Sequence, residues 1–460
     1  MRKKALLALL LVLTLMLSSC SLIVKDEALD NAAEIIRFGD KVITKAKVKE
    51  ETQNQLESMA YLYSMYGMSY DTSDPAIIAQ AQSDAIDALK KDLVLTSKAA
   101  ELGLDQLTDE EKETVKTKAQ TSYDSSLDYI KSYMLTDADK EGKDDEAVNQ
   151  LAAEKLTALG YSLDSYIETE TKTLIDDKLR EYIVKDVAVT DDEIQAEYDS
   201  KVAADKETYG ENAASYAQAV NNGTTVYYAP AGVRRVKQIL TKFKDEDQTA
   251  IDTAKSAVTE ANTAVTAAQA KVDAAKETLN TEGITEEIET QAKADLEAAD
   301  KELEEANAKL TEANKAVEDA TNKAFENIDA DTDAILASLA EGEDWTKLMD
   351  EKNQDPGMKD NEKGYAVAAD MTNFDKAFVE AAMALAKPGD YSGKVKGTSY
   401  GYYIIRYDSD EPEGPVALDT VKEGISSSLL TTKQNTAYND QVAKWVEESG
   451  IKVDLSALND

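Results

Sequence analysis

The chain has 460 residues, enough for more than one domain, and its 90 acidic against 51 basic residues give a formal net charge of −39. That balance argues against nucleic acid and anionic membrane surfaces as direct partners, because binding them depends on clustered Lys and Arg. With no histidine and a single cysteine, Cys20, the sequence excludes a Ser-His-Asp triad, a His-ligated metal site, an intrachain disulfide and a thiolate cluster; no metal or other cofactor is expected.

Arg2-Lys-Lys4 followed by an apolar run over 5–17 forms the basic and hydrophobic regions of an export signal. The run falls short of the ~20 residues that a membrane-spanning helix needs. Leu17-Ser-Ser-Cys20 then resembles the lipobox of bacterial lipoproteins. The resemblance implies removal of 1–19, diacylation of Cys20, a tether over 20–32, and an extracytoplasmic protein held to the bacterial cell membrane by lipid.

Residues 33–44 read as a hairpin around Gly39-Asp40, a favourable turn pair, and Thr44 caps a helix to about 59. Further helices are predicted over 76–102 (ended by Gly103), 108–133, 145–159 (ended by Gly160), 162–187 and 190–202, the last opening on the capping-box spacing Thr190-Asp-Asp-Glu193. Met59-Ala-Tyr-Leu-Tyr-Ser-Met-Tyr-Gly-Met-Ser-Tyr70 is dense in Met and Tyr. Such residues are usually buried, so it fits first a core-facing helix end; the alternative is a surface that adapts to varied unfolded chains. In order, Arg37-Phe-Gly-Asp-Lys-Val-Ile-Thr-Lys-Ala-Lys-Val48, Ala99-Ala-Glu-Leu-Gly-Leu104 and Val189-Thr-Asp-Asp-Glu-Ile-Gln-Ala-Glu-Tyr198 resemble the N-terminal chaperone domain of the SurA and PrsA family of exported foldases. This implies a helical chaperone domain over 33–228.

Residues 246–327 carry a repeat. Ile251, Val258, Val265, Val272 and Leu279 recur every seven residues, with Ala254, Ala261, Ala268 and Ala275 three positions later. After Asn280-Thr-Glu-Gly283 the pattern resumes with Leu296, Leu303, Leu310 and Val317, paired with Ala299, Ala306, Ala313 and Ala320. Such a/d heptads on two helices predict an antiparallel coiled-coil hairpin, with alanine at d allowing close approach. Its Glu- and Lys-rich outer faces suit a solvated spacer as well as a partner-binding arm.

The hairpin interrupts two strand-like runs, Val233-Arg-Arg-Val-Lys-Gln-Ile-Leu240 and Tyr400-Gly-Tyr-Tyr-Ile-Ile-Arg-Tyr407. β-branched, aliphatic and aromatic residues dominate both, turn formers flank them, and they are expected to pair in one small sheet. Between hairpin and second strand come a helix over 331–339, Gly342-Glu-Asp-Trp345, Asn353-Gln-Asp-Pro-Gly-Met358, a helical run from Phe374 to Gly389, and Ser392-Gly-Lys-Val395. This order resembles a parvulin-type peptidyl-prolyl isomerase over 233–409. The resemblance makes Asp355 the acidic group beside the substrate amide, and Phe374, Phe378, Met383 and Leu385 the formers or supports of a proline pocket. The family's two strand histidines are Gln238 and Tyr403 here, and its Gly-rich turn is reduced to Glu362-Lys-Gly-Tyr365. Isomerisation has no obligatory proton transfer, so Asp355, Gln238 and Tyr403 stand as the catalytic candidates.

Pro412-Glu-Gly-Pro415 reads as a linker, followed by an amphipathic helix over 417–449 and a short strand over 451–453. By the family resemblance, 412–460 returns to the chaperone domain. The expectation is therefore an α+β, mostly helical protein. It has a discontinuous helical chaperone domain of SurA type and a parvulin-like lobe carrying an inserted antiparallel coiled coil. The function implied is binding of unfolded exported polypeptides and isomerisation of their X-Pro bonds; the alternative is a non-catalytic holdase or assembly scaffold. A homodimer is compatible with this reading. A solute-binding lipoprotein fits poorly, since the alternating βα pattern is missing.

Overall fold

The structure, a computed structural model, describes residues 27–359 and 361–458. It divides into two compact units: the chain up to Val189 with Ser427 onward, and Thr190–Ser426. Both are mostly helical, with small antiparallel sheets. Among the described residues no helix is long and apolar enough to cross a membrane. Cys20 and the signal lie outside the described residues.

The first unit opens with α1 (Glu27–Asn31) and a hairpin of β1 (Glu34–Phe38) and β2 (Lys41–Thr44), turned by Gly39 at φ +59°. Left-handed backbone of this kind is nearly free for glycine and costly for other residues. Helices α2 (Lys45–Met65), α3 (Pro75–Glu101), α4 (Asp109–Tyr129), α5 (Asp137–Lys140), α6 (Asp145–Ala158) and α7 (Leu163–Val184) follow. Their starts are chemically fixed. Asp74 accepts from the Ala76 N–H ahead of Pro75 in the first turn of α3, and Thr108 and Glu111 form a reciprocal capping box at α4. The helix expected over 108–133 ends at Tyr129 and passes into a π-helical turn, Ile130–Met134.

Strand Lys452–Val453 pairs antiparallel with β1 through Ile36↔Val453 and Arg37↔Lys452, so the end of the chain completes the sheet at its beginning. Ile35, Ile36, Val48, Ile86, Leu89 and Leu93 form the core there, with Ile451 and Leu458 packed against it. Lys45 is 3% exposed, and its ammonium donates to the Asp30 carboxylate at 3.0 Å and to the Ala457 carbonyl at 2.6 Å. A buried cation is tolerated only with such partners.

The second unit contains α8 (Asp191–Tyr209), α9 (Ala213–Asn221), β3 (Tyr228–Ala229), β4 (Arg234–Lys242), α10 (Asp245–Leu279), α11 (Glu286–Ala340) and α12 (Trp345–Lys352). It continues with β5 (Tyr365–Val367), α13 (Lys376–Ala384), β6 (Val395–Lys396), β7 (Gly401–Asp410), β8 (Gly414–Pro415) and the start of α14 (Leu418–Glu448). The main sheet has the order β5-β4-β7-β6, all antiparallel. β4 and β7 pair from Arg234↔Asp410 to Lys242↔Gly401, with a bulge between Arg235 and Val236. Strand alternation sends Val236, Leu240, Tyr403 and Ile405 to one face, against Phe378, Val379 and Ala382 of α13 and Tyr216 and Ala217 of α9. Ile239 and Ile404 point to the other, against Ile335 and Leu339 of α11 and Trp345 and Leu348 of α12. Both faces of the sheet are thus covered.

The unit begins at Thr190, upstream of the domain boundary expected near 228. The reason is local bonding: the Asn221 amide exchanges hydrogen bonds with the Ala366 backbone at 2.8 and 2.9 Å, and Tyr198 Oη donates to the Val416 carbonyl at 2.7 Å. These tie α9 to β5 and α8 to the residue that follows β8.

α10 and α11 lie along each other as a long arm. Between 251 and 279 the residues shielded from solvent are Ile251, Ala254, Val258, Ala261, Val265, Ala268, Val272, Ala275 and Leu279. The opposing helix shields Ala292, Leu296, Ala299, Leu303, Ala306, Leu310, Ala313, Val317 and Ala320. Lys271 Nζ reaches both oxygens of Glu302 at 2.7 Å across the pair. At the base, Phe243 packs edge-on against Phe325, which meets Tyr402 of β7, both at 4.8 Å between centroids. Asn327 donates to both oxygens of Asp247 at 2.9 and 3.0 Å. The helix expected over 331–339 is the C-terminal end of α11, so one unbroken helix of 55 residues forms half the arm and then covers the sheet.

Candidate functional site

On the α13 side of the sheet, a cavity of about 570 Å³ opens between β4, β7, α13, the loop 353–358 and the loop 397–400. β4 supplies Gln238 and Leu240, two residues apart and therefore on the same face. β5 pairs only with Arg234, Arg235 and Val236, which leaves the next stretch of the β4 edge without a strand partner on that side. The 353–355 loop takes its place. Gln354 N–H donates to the Leu240 carbonyl at 3.0 Å, while the side-chain oxygens of Asn353 and Gln354 accept from the Leu240 and Lys242 N–H groups at 2.8 and 2.6 Å. The amide side chains act as a substitute strand and deliver Asp355 to the cavity.

Asp355 caps the 3₁₀ turn Pro356–Met358, and its Oδ1 accepts from the Gly357 N–H at 2.9 Å. Its Oδ2 accepts from Gln238 Nε2 at 2.6 Å and from Tyr365 Oη at 2.9 Å. A β carbon on Gly357 would lie 2.1 Å from the Tyr365 hydroxyl, so only glycine allows this packing. The carboxylate only accepts, which fixes the Gln238 amide with its nitrogen toward Asp355. Its Oε1 is then turned away, and no donor among the described residues reaches it.

From Tyr365 an unbroken row of rings crosses the cavity. Tyr365 meets Phe374 edge-on at 5.2 Å, Phe374 stacks on Phe378 at 5.4 Å with an 18° interplanar angle, and Phe378 meets Tyr403 edge-on at 5.4 Å. The loop beyond β6 is pinned to this wall by Asp375, which caps α13 through the Ala377 N–H and also accepts from the Thr398 N–H and hydroxyl at 2.5 and 2.9 Å. Burial pushes the Tyr403 phenol well above its ordinary range, helped by Asp375. Burial, followed by the Asp355 charge, does the same for Tyr365. Both are neutral hydrogen-bond donors at physiological pH.

The structure brings together five of the residues singled out from sequence: Gln238, Asp355, Phe374, Phe378 and Tyr403. Met383 and Leu385 do not line the cavity; their side chains pack on the lobe core. Their carbonyls, with that of Ala382, accept from Arg234 Nη1 at 2.9, 2.8 and 3.1 Å, which satisfies the C-terminus of α13. Sequence reasoning did not single out Tyr365, Asn353, Gln354, Asp375 or Thr398. The signal available for the first three was their closeness to Pro356-Gly357 and Gly364; Asp375 and Thr398 are joined only by the fold.

An apolar wall, a fixed carboxylate and neutral donors suit binding of a small apolar ring attached to a polar amide. They offer no nucleophile-base pair. Among the described residues no group of His, Cys, Asp and Glu side chains is arranged to hold a metal ion.

This chain is similar to foldases. Over 113 residues it is 38% identical to the foldase protein PrsA of Clostridium botulinum strain Hall, and over 118 residues 34% identical to that of Clostridium kluyveri strain ATCC 8527. Those stretches cover 24% and 25% of this chain and 32% and 34% of the relatives, so the chain spans about a third of the length of the curated relatives it matches. Among solved structures, the foldase protein PrsA of Streptococcus pneumoniae is aligned over 92% of this chain and 97% of its own, at 16% identity and a TM-score of 0.25. A SurA-like chaperone structure from Campylobacter jejuni is aligned over 70% of this chain and 88% of its own, at 15% identity and a TM-score of 0.24. No family model matches the chain.

Proposed function

We propose that this protein is a lipid-anchored extracytoplasmic foldase that binds unfolded exported polypeptides and isomerises X-Pro peptide bonds at the cavity of its second unit. The observation that carries the reading is the aromatic row from Tyr365 to Tyr403 ending on a carboxylate held by three donors. A prolyl ring fits against Phe374, Phe378 and Tyr403, while Asp355 sits where the preceding amide would lie. Rotation about that amide faces about 20 kcal/mol and is eased when an apolar site favours the twisted, less conjugated form. Tyr365, Gln238 and the Gly357 N–H keep Asp355 in place. In this reading the first unit, completed by the C-terminal segment, is the chaperone body, the arm is a coiled-coil insertion, and diacylated Cys20 is the tether.

A protease-coupled isomerisation assay on the mature chain tests the reading. We expect acceleration of an Ala-Pro peptide and a fall of about tenfold or more in kcat/KM for Asp355→Ala. The second reading, a holdase without isomerase activity, is favoured by one feature: Asp355 is already engaged by three internal donors. It stands if the wild-type rate equals the uncatalysed one while aggregation of an unfolded client is still suppressed. For the anchor, Cys20→Ser is expected to release the protein from membranes into the soluble fraction.

A further inference from the structure

The last turns of α2 and the residues that follow carry a cluster of apolar side chains in the open: Tyr61, Leu62, Met65, Tyr66 and Met68 are 69%, 45%, 67%, 72% and 53% exposed. The helix expected to end near 59 continues to Met65, and that extension lifts this cluster into solvent instead of into a core. Beneath it Tyr63 and Tyr70 meet at 4.9 Å between ring centroids, tilted by 48°, and the Met68 N–H donates to the Tyr63 carbonyl at 3.0 Å. Beside it a groove of about 450 Å³ runs between the helices, with Leu56, Met59 and Tyr70 in its wall and Glu51 and Asp84 among its lining.

The chain segment that builds this surface is acidic, with Glu50 and Asp87 at its two ends paired to Lys47 and Lys90. Between Lys49 and Lys90 the chain has no basic residue and seven acidic ones: Glu50, Glu51, Glu57, Asp71, Asp74, Asp84 and Asp87. Exposed apolar side chains clustered in this way mark an interaction surface, and methionine and tyrosine adapt to varied shapes. A second copy of the chain would set one acidic rim against another, and an anionic lipid surface would be repelled in the same way.

We propose that the α2–α3 tip is a docking surface for cationic amphipathic polypeptide segments. Their apolar side chains cover Tyr61, Met65 and Tyr66, and their Lys or Arg heads reach Glu51, Glu57 and Asp84. The site is independent of the cavity in the second unit, so it stands or falls whether or not that cavity isomerises proline.

The test is fluorescence anisotropy on the lipid-free mature chain with a labelled amphipathic helical peptide of Leu and Lys, and its counterpart with every Lys replaced by Gln. The Lys peptide is expected to bind about tenfold tighter or better at low salt, with the difference closing toward about 1 M salt. The variants Met65→Ser/Tyr66→Ser, at exposed positions, and Glu51→Gln/Glu57→Gln, at one half-buried and one exposed position, should each weaken it several-fold. Unchanged binding by both variants means attraction to the acidic chain at large and overturns the proposal. Equal affinity for the two peptides overturns it in favour of a purely apolar surface. A dimer in sedimentation that Met65→Ser/Tyr66→Ser converts to monomer assigns the surface to a second copy and overturns it too.

Discussion

The arm and the sheet-centred lobe lie in one unit, yet they are held together in opposite ways. Over 251–279 and 292–320, the arm proper, every shielded residue belongs to a seven-residue pattern, alternating alanine with aliphatic side chains. Each layer repeats the one before, so no single layer is indispensable. In the lobe, each ring of the Tyr365–Phe374–Phe378–Tyr403 row comes from a different position on three elements and a loop, and removing one disturbs the rest. Redundant local packing and singular long-range packing should therefore fail differently.

The largest effect is expected at Phe378, 2% exposed at the centre of the lobe core. Phe378→Ala leaves a cavity and should cost about 3–5 kcal/mol, lowering the melting of the lobe and abolishing peptide binding. Calorimetry showing an unchanged transition would contradict the central place given to this ring. Next comes Gly357→Ala, which must displace the Tyr365 hydroxyl; about 1–3 kcal/mol is expected, with loss of site function exceeding loss of stability. In the arm, Ala268→Leu at a fully buried position should cost a similar ~1–3 kcal/mol by forcing the helices apart. Unlike the other two, it should leave the cavity and its peptide affinity unchanged.

How much of this could be read in advance follows the same division. The heptads and the two paired strands were legible, because period seven and β-branched alternation are properties of neighbouring residues. The continuity of α11 from arm to sheet cover was not, since Ala320–Phe325–Ile328 reads equally as an end and as a beginning. Gln238, Asp355 and Tyr403, which share one cavity, were singled out only through family resemblance. Tyr365 was passed over because its value lies in one hydroxyl reaching a carboxylate ten residues earlier, which no periodicity announces. The role of Arg234 at the end of α13 is likewise a contact between distant segments. The Met- and Tyr-rich stretch was visible, but its exposure depended on where α2 stops.

A smaller effect comes from pH. Tyr216 is pushed up to about 12, first by burial and then by the Glu411 charge, and Tyr365 and Tyr403 are also raised above the ordinary 10.0. These phenols hold their protons more tightly folded than unfolded. Their stabilisation is complete below about pH 10 and is lost as pH rises through the folded values. Denaturant unfolding of the lobe should show stability falling from about pH 10 upward, and less steeply in Tyr365→Phe. The arm, whose shielded positions carry no tyrosine, should not share that slope. The smallest effect belongs to the exposed Lys271–Glu302 pair: Lys271→Ala should change stability by less than about 1 kcal/mol and vanish in high salt.

The central claim is that a prolyl ring lies against Phe374, Phe378 and Tyr403 with its amide toward Asp355. The most direct measurement is proton NMR of an Ala-Pro peptide titrated with the mature protein. The account predicts upfield ring-current shifts confined to the prolyl ring protons, lost in Phe374→Ala and absent for the same peptide with Ala in place of Pro. Shifts spread evenly along the peptide, or equal for the Pro and Ala peptides, would contradict it.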